Sequence, residues 1–386
     1  MKSSYTNSTV VVRMICAIVF LLFTFLYLYS FQADVLAVAQ HVLSKGQTHY
    51  NREVGAVLIT SVLWLIQLGI YFWTKLDGKV HALTYFPSLL ILTVITDISP
   101  SIDCGLSLGG WVYALPILVV LYVGIVWLIL QMQLPDVVKT PHGLFSKDMW
   151  VNLLTMACMI FFVGLFANHD DVFHYRVQAE QAMLEGDYQK ALKIGWGAYA
   201  TDSSLTLIRM TALTETGQLG EKLFEYPLVG GTMAMLPDGV TTKFMMYPEK
   251  RLYQSLGGWF RQYMSPSRYF QYMSRHHKVN KKLEDYRLCA YLIDGKLDLF
   301  VKTLKLRRDS LTNLPKHYRE ALVLYNHQHA NPLIVYHNNV LDADFEDFES
   351  LQNKSKNPLE RYSMLRDSYG NTYWFWYYYR NRIPQS

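Results

Sequence analysis

The sequence predicts an all-α protein in two parts: a bundle of five transmembrane helices over residues 1–167, then a soluble, irregular α-solenoid of helix hairpins over 168–386. Two observations predict it. Apolar runs of membrane-spanning length fill the first part, and a helical period punctuated by turn-forming glycines fills the second. The parts divide after the run 149–167, which carries no charge between Asp148 and Asp170 and as a helix is roughly 28 Å long, enough to cross a bilayer core.

Composition agrees with a split chain. At 51% hydrophobic and 15% aromatic, the 386 residues are too apolar for an average soluble domain and too polar to lie wholly in lipid. The net charge of +5 is spread without basic blocks and leaves no footprint for nucleic acid. Cys16, Cys104, Cys158 and Cys289 form no C-x-x-C pair, so neither a disulfide framework nor a zinc knuckle is expected, and Cys289 is expected as a small buried hydrophobe.

The expected spans are 11–31, 54–74, 82–98, 111–131 and 149–167. The first is longer than the apolar core of a secretory signal; Ala37-Val38-Ala39 has the small-x-small form of a cleavage site but lies several residues beyond the run. Gln67 is the strongly polar residue of the second span, and Pro87 and Pro116 sit near span ends, where proline is tolerated. Lys2, Arg13, Lys75, Lys79, Lys139 and Lys147 fall on the N-terminal side, with Lys45 and Arg52 opposite. Positive residues resist translocation, so the N-terminus is expected in the cytoplasm and residues 168 onward outside it, in the periplasm of a bacterial host. No Lys, Glu or His falls within these spans, and the acid to note is Asp97, at the end of the third. Transporters and intramembrane enzymes keep ionisable groups at depth, so an anchor is favoured.

In the second part, an amphipathic stretch through Val177, Ala179, Met183 and Leu184 ends at Gly186, and a second helix is expected from Tyr188 to Ala200. Gly186, Tyr188, Ala191 and Ala198 stand at the spacing of the tetratricopeptide repeat, which this segment resembles. Ser203 stands where that pattern has Pro. Gly217 and Leu219 open a weaker copy, with Lys222 in place of a small residue, and Gly295 and Leu297 open a third, with Phe300 in place of Ala. The glycines lie 31 and 78 residues apart, so the array is irregular. The resemblance implies stacked helix pairs with a concave protein- or peptide-binding surface. The combination of spans, degenerate repeats and an aromatic close also resembles an uncharacterised family of bacterial membrane proteins, which implies no activity.

Other segments read as structure. The stretch 227–248, rich in Gly, Pro and Met, is a loop whose Met233, Met235, Met245 and Met246 fill core gaps. Trp259, Phe260, Tyr263, Tyr269, Phe270 and Met273 form a bulky stripe expected in the core. Asp170 and His174 stand one helical turn apart, a spacing metal ligands use, but no third ligand is evident. His317, His327, His329 and His337 match no zinc pattern and are expected on helix surfaces. The acidic run Asp342 to Glu349 reads as a helix start with Phe345 and Phe348 turned inward, since a calcium loop would want glycine where Asp347 stands. Ser-Leu-Gly-Gly-Trp occurs at 107–111 and again at 255–259 without the Lys of a phosphate loop. The aromatic run Tyr373 to Tyr379 is expected to pack onto preceding helices and close the array.

No catalytic signature is found. The expected function is therefore a membrane-anchored scaffold binding a protein or peptide outside the cytoplasm, in contact with membrane lipids and without a cofactor. The alternative is a membrane enzyme or transport component acting on a lipid-linked or glycan substrate.

Overall fold

The computed structural model describes residues 2–98, 102, 109–132, 146–260, 262–276, 278–307 and 313–380, and every regular element among them is helical. The chain divides into two compact units, Met1–Asp170 and Asp171–Ser386.

The first unit is that of a membrane protein. Five stretches are long and apolar enough to cross a bilayer: Val10–Phe31, Arg52–Thr74, Gly78–Thr96, Trp111–Met132 and Lys147–Phe166. The first is helix α1 (Lys2–Leu26) continued by a π turn, Tyr27–Phe31. A short apolar helix that the sequence reading missed, α2 (Ala33–Leu43), follows and buries Ala37 and Val38 of the cleavage-like triplet. Helix α3 (Arg52–Thr74) starts at Asn51, whose side chain accepts the N–H groups of Glu53 and Val54. A 3₁₀ stretch, Gly78–Tyr85, runs directly into α4 (Phe86–Thr96), and α5 (Trp111–Met132) and α6 (Lys147–Phe166) complete the unit. Residues at one-turn and two-turn spacing, among them Val12, Cys16 and Phe20 of α1 and Met149, Met156 and Val163 of α6, form the shared core.

The third span differs from expectation. It begins at Gly78 rather than at residue 82, which brings Lys79 and the buried His81 into a stretch expected to hold neither Lys nor His. A 3₁₀ backbone leaves amide groups that lipid cannot satisfy, so another segment has to supply partners. Asn152, fully buried on α6, does so: its Oδ1 accepts the Ala82 N–H at 2.7 Å and its Nδ2 donates to the Gly78 carbonyl at 2.7 Å. Gln67 of α3 donates to the Thr84 hydroxyl at 3.0 Å, and Ser88 donates to the Leu63 carbonyl at 2.8 Å. These polar contacts tie the 3₁₀ stretch and the start of α4 to α3 and α6. Lys139, used in assigning orientation, lies outside the described residues, as do Cys104 and, in the first Gly-Gly-Trp copy, Ser107 and Leu108.

In the second unit, α7 (Asp171–Leu184), α8 (Tyr188–Lys193), α9 (Ser203–Glu215) and α10 (Leu219–Lys222) come first. Loop and 3₁₀ segments lead to α11 (Glu249–Ser255), α12 (Pro266–Arg275), α13 (Lys281–Asp294) and α14 (Leu297–Leu306). The series ends with α15 (Lys316–Gln328), α16 (Asn339–Lys354), α17 (Pro358–Tyr369) and α18 (Tyr373–Tyr379). Phe345 and Phe348 point inward from the acidic helix α16, both fully buried.

Two expectations need correction here. His317 is not on a surface: it is fully buried in α15, while His327 and His329 are partly or fully exposed and His337 lies beyond the helix. Its Nε2 accepts the Phe224 N–H at 3.3 Å, so its Nδ1 carries the proton and donates to Glu320 at 2.9 Å. The second concerns α18, which packs onto preceding helices as expected but inside the unit rather than as a cap on its end. The buried Glu320 carboxylate accepts the Tyr373 N–H at 2.7 Å, and the Glu320 carbonyl accepts the Trp374 indole N–H at 2.7 Å. Tyr373 donates to the Leu292 carbonyl of α13 at 3.2 Å, its ring lies 5.0 Å from Phe224, and Trp374 lies 5.2 Å from Phe345 of α16. The aromatic run is thus an inner strut between early and late helices.

Replacing Glu320 by Ala would leave two buried N–H donors unmet, a cost of about 3 kcal/mol. The melting temperature of the purified full-length protein should fall by about 10 °C. A fall no larger than that of His329→Ala, on a partly exposed side chain, would mean that Glu320 does not hold α18.

A candidate site: the basic cleft between helices 12 and 13

The glycines singled out in the sequence all mark turns of one kind. Gly186, Gly217 and Gly295 take left-handed conformations, with φ of 83°, 68° and 69°. In each turn the next residue's N–H reaches back five positions, from Asp187 to Ala182, Gln218 to Leu213 and Lys296 to Tyr291. This is the Schellman closure that lets a helix stop and a new one start at once, at Tyr188, Leu219 and Leu297. Ala191, Leu219, Leu297 and Phe300 are buried where these pairs pack, and Tyr188 is partly buried with its hydroxyl 3.3 Å from that of Tyr247. Ala198 is not on a helix. Gly195 and Gly197, at φ of 63° and 78°, end α8 at Lys193, so the expected helix to Ala200 stops short.

The third glycine turn borders a cleft of about 620 Å³, within the usual range for ligand pockets. One wall is α12, which buries Pro266, Tyr269, Phe270 and Met273 at helical spacing and so turns Arg268, Gln271, Ser274 and Arg275 to the other side. The second wall is α13 with Arg287, Tyr291 and Asp294, continued past Gly295 to Lys296. The third is the 3₁₀ segment Gly231–Met235, fixed by Tyr286 of α13, whose hydroxyl donates to the Met235 carbonyl at 2.6 Å. Of the bulky stripe, Tyr269, Phe270 and Met273 are core as expected. Trp259 and Tyr263 are 45% and 54% exposed, because the chain leaves helical geometry between α11 and α12. Likewise Met235, Met245 and Met246 are buried and Met233 stays at the cleft edge.

Four cations and one acid face this space: Arg268, Arg275, Arg287 and Lys296 against Asp294. Lys296 pairs with Asp294 at 2.7 Å and Arg287 donates to Ser274 at 3.0 Å, while the Arg287 Nε is buried without a hydrogen-bond partner among the described residues. Arg268 and Arg275, one helical double turn apart, are exposed and have no ion-pair partner among the described residues. Three guanidinium groups converging on one concavity present the planar, forked donors that carboxylates and phosphates accept.

Residues 232–380 match a family of unknown function, DUF6057. The whole cleft lies inside the matched segment, as do α18 and the His317–Glu320 pair. No curated protein and no solved structure matches the chain.

Other ionisable groups are engaged in the fold. Glu180, buried in α7, accepts the N–H groups of Met245, Met246 and Tyr247 at 2.6 to 3.0 Å; burial pushes its carboxyl up and these donors pull it back part of the way. Cys289 lies buried with its Sγ 3.6 Å from the Tyr318 hydroxyl, and burial pushes the thiol up, away from the thiolate a nucleophile requires. Among the described residues no three of His, Cys, Asp and Glu gather as a metal site, and Asp170 and His174 stay outside any such group.

Gly295 and Gly186 differ in one respect. A Cβ on Gly186 would meet open space, whereas one on Gly295 would run into the Arg380 guanidinium. Both sit at positive φ, so Gly186→Ala and Gly295→Ala should each cost about 1–2 kcal/mol of left-handed strain by denaturant unfolding, the flexible Arg380 side chain moving aside at Gly295. No loss at either position would mean that these turns do not need the left-handed conformation.

Proposed function

We propose that the protein is a membrane-anchored binding scaffold whose C-terminal unit takes an acidic peptide segment of a partner protein into the cleft between α12 and α13. The convergence of Arg268, Arg275 and Arg287 on that cleft carries the reading, because arginine clusters recognise acidic motifs by charge-assisted, forked hydrogen bonds. The tetratricopeptide-like helix pairs at Gly186, Gly217 and Gly295 support a surface built for a partner chain rather than for chemistry.

We further propose that the N-terminus lies in the cytoplasm and the C-terminal unit outside it, in the periplasm of a bacterium. The distribution of Lys and Arg supports this orientation. Two ion pairs fit the alternation of spans: Arg13 in the first turn of the first span with Asp77 just before the third, and Asp34 after the first with Arg52 at the start of the second.

The test is the affinity of the purified full-length protein for a fluorescent Glu- and Asp-rich peptide. Replacing Arg268 and Arg275 together by Ala should weaken binding about 30-fold, two contacts at about 1 kcal/mol each, and rising salt should weaken the wild type. Unchanged affinity in the double variant overturns the cleft as the site. The same membrane-impermeant peptide should bind to spheroplasts and not to sealed inside-out vesicles; the reverse pattern overturns the orientation.

A further inference from the structure

We propose that the membrane unit holds a lipid with an amine-bearing head group in the cavity between α4, α5 and α6, its acyl chain along the cavity and its ammonium on Asp97. This does not depend on the peptide-binding reading.

The cavity follows from how α5 is docked. At one end of α5 the Trp111 indole N–H donates to Asp97 Oδ2 at 2.7 Å and its ring lies 6.0 Å from Phe166. Further along, Tyr122 stacks on Phe86 at 5.2 Å. Between these contacts Ala114 and Leu118 are too short to fill the gap to Leu89, Leu90 and Val163, and a space of about 760 Å³ remains. Phe162 and Phe166 line it while keeping 55% and 49% of their surface exposed, so it opens sideways at span depth.

What enters must come from the bilayer. Water finds few polar partners along this lining, whereas a hydrocarbon chain supplies the contacts that the apolar side chains otherwise lack. Asp97 selects the head group. It follows Thr96, the last residue of α4, and so stands at the span's end, where the helix dipole is also negative. One carboxylate oxygen holds Trp111; the other accepts no hydrogen bond among the described residues, and the residue is exposed. Among the described residues no Lys or Arg lines the cavity. A primary ammonium supplies N–H donors and positive charge to that oxygen, and an anionic head group is repelled.

The experiment places the full-length protein in nanodiscs of equimolar phosphatidylethanolamine and phosphatidylglycerol and measures the lipids retained on release by native mass spectrometry. The wild type should retain phosphatidylethanolamine in about threefold excess. Asp97→Asn keeps an acceptor for Trp111 and should bring the ratio to that of the bulk. Leu118→Trp should fill the cavity and lower total retention. A bulk ratio in the wild type, or an excess that survives Asp97→Asn, overturns the proposal; the Asn variant decides it even if the Trp variant fails to fold.

Discussion

In the C-terminal unit a buried carboxylate, Glu320, receives the first N–H of the last helix and the ring proton of His317, whose other nitrogen receives the N–H of Phe224. Residues nearly a hundred positions apart in sequence are joined through these three bonds, and α18 is held where helices from both halves of the unit meet. Buried donors and acceptors are costly when unmet, so the arrangement specifies one docking of α18. From there the constraint reaches the cleft. Tyr373 bonds the Leu292 carbonyl at the end of α13, and Arg380 lies against Gly295, so the turn that carries Asp294 and Lys296 rests on α18.

The membrane unit obeys the same rule with less room for error. Its irregular stretch, Gly78–Tyr85, survives within a span because Asn152, Gln67 and nearby hydroxyls replace the partners that water would offer. These groups bind backbone and each other. The departure is α5, whose sparse docking leaves the cavity beside Asp97.

Much of the frame was legible in the sequence for physical reasons. Span length is dictated by bilayer thickness, so five apolar runs mark five spans to within a few residues. Glycine is the residue for a left-handed helix end, so Gly186, Gly217 and Gly295 mark their turns directly. What escaped was set by distant partners. His317 looks like any helical histidine until Phe224 and Glu320 are brought to it, and residues 78–81 look like a connection until Asn152 holds the Gly78 carbonyl and the Ala82 N–H. The cleft escaped for a related reason. Its cations are scattered from 268 to 296 with no fixed spacing, and the signal available was the amphipathic pattern of α12, which buries Tyr269, Phe270 and Met273 and faces Arg268 and Arg275 the other way.

The central claim is that this face of α12 is where a partner chain sits. It is tested most directly by placing a photoreactive residue at Gln271, inside the cleft, or at Asn353 on α16, outside it, in the full-length protein in its native membrane. The account predicts a crosslinked protein adduct from position 271 that an excess of acidic peptide removes, and none from position 353. Adducts of equal yield at both positions, or an adduct at 271 that the acidic peptide leaves untouched, would contradict it.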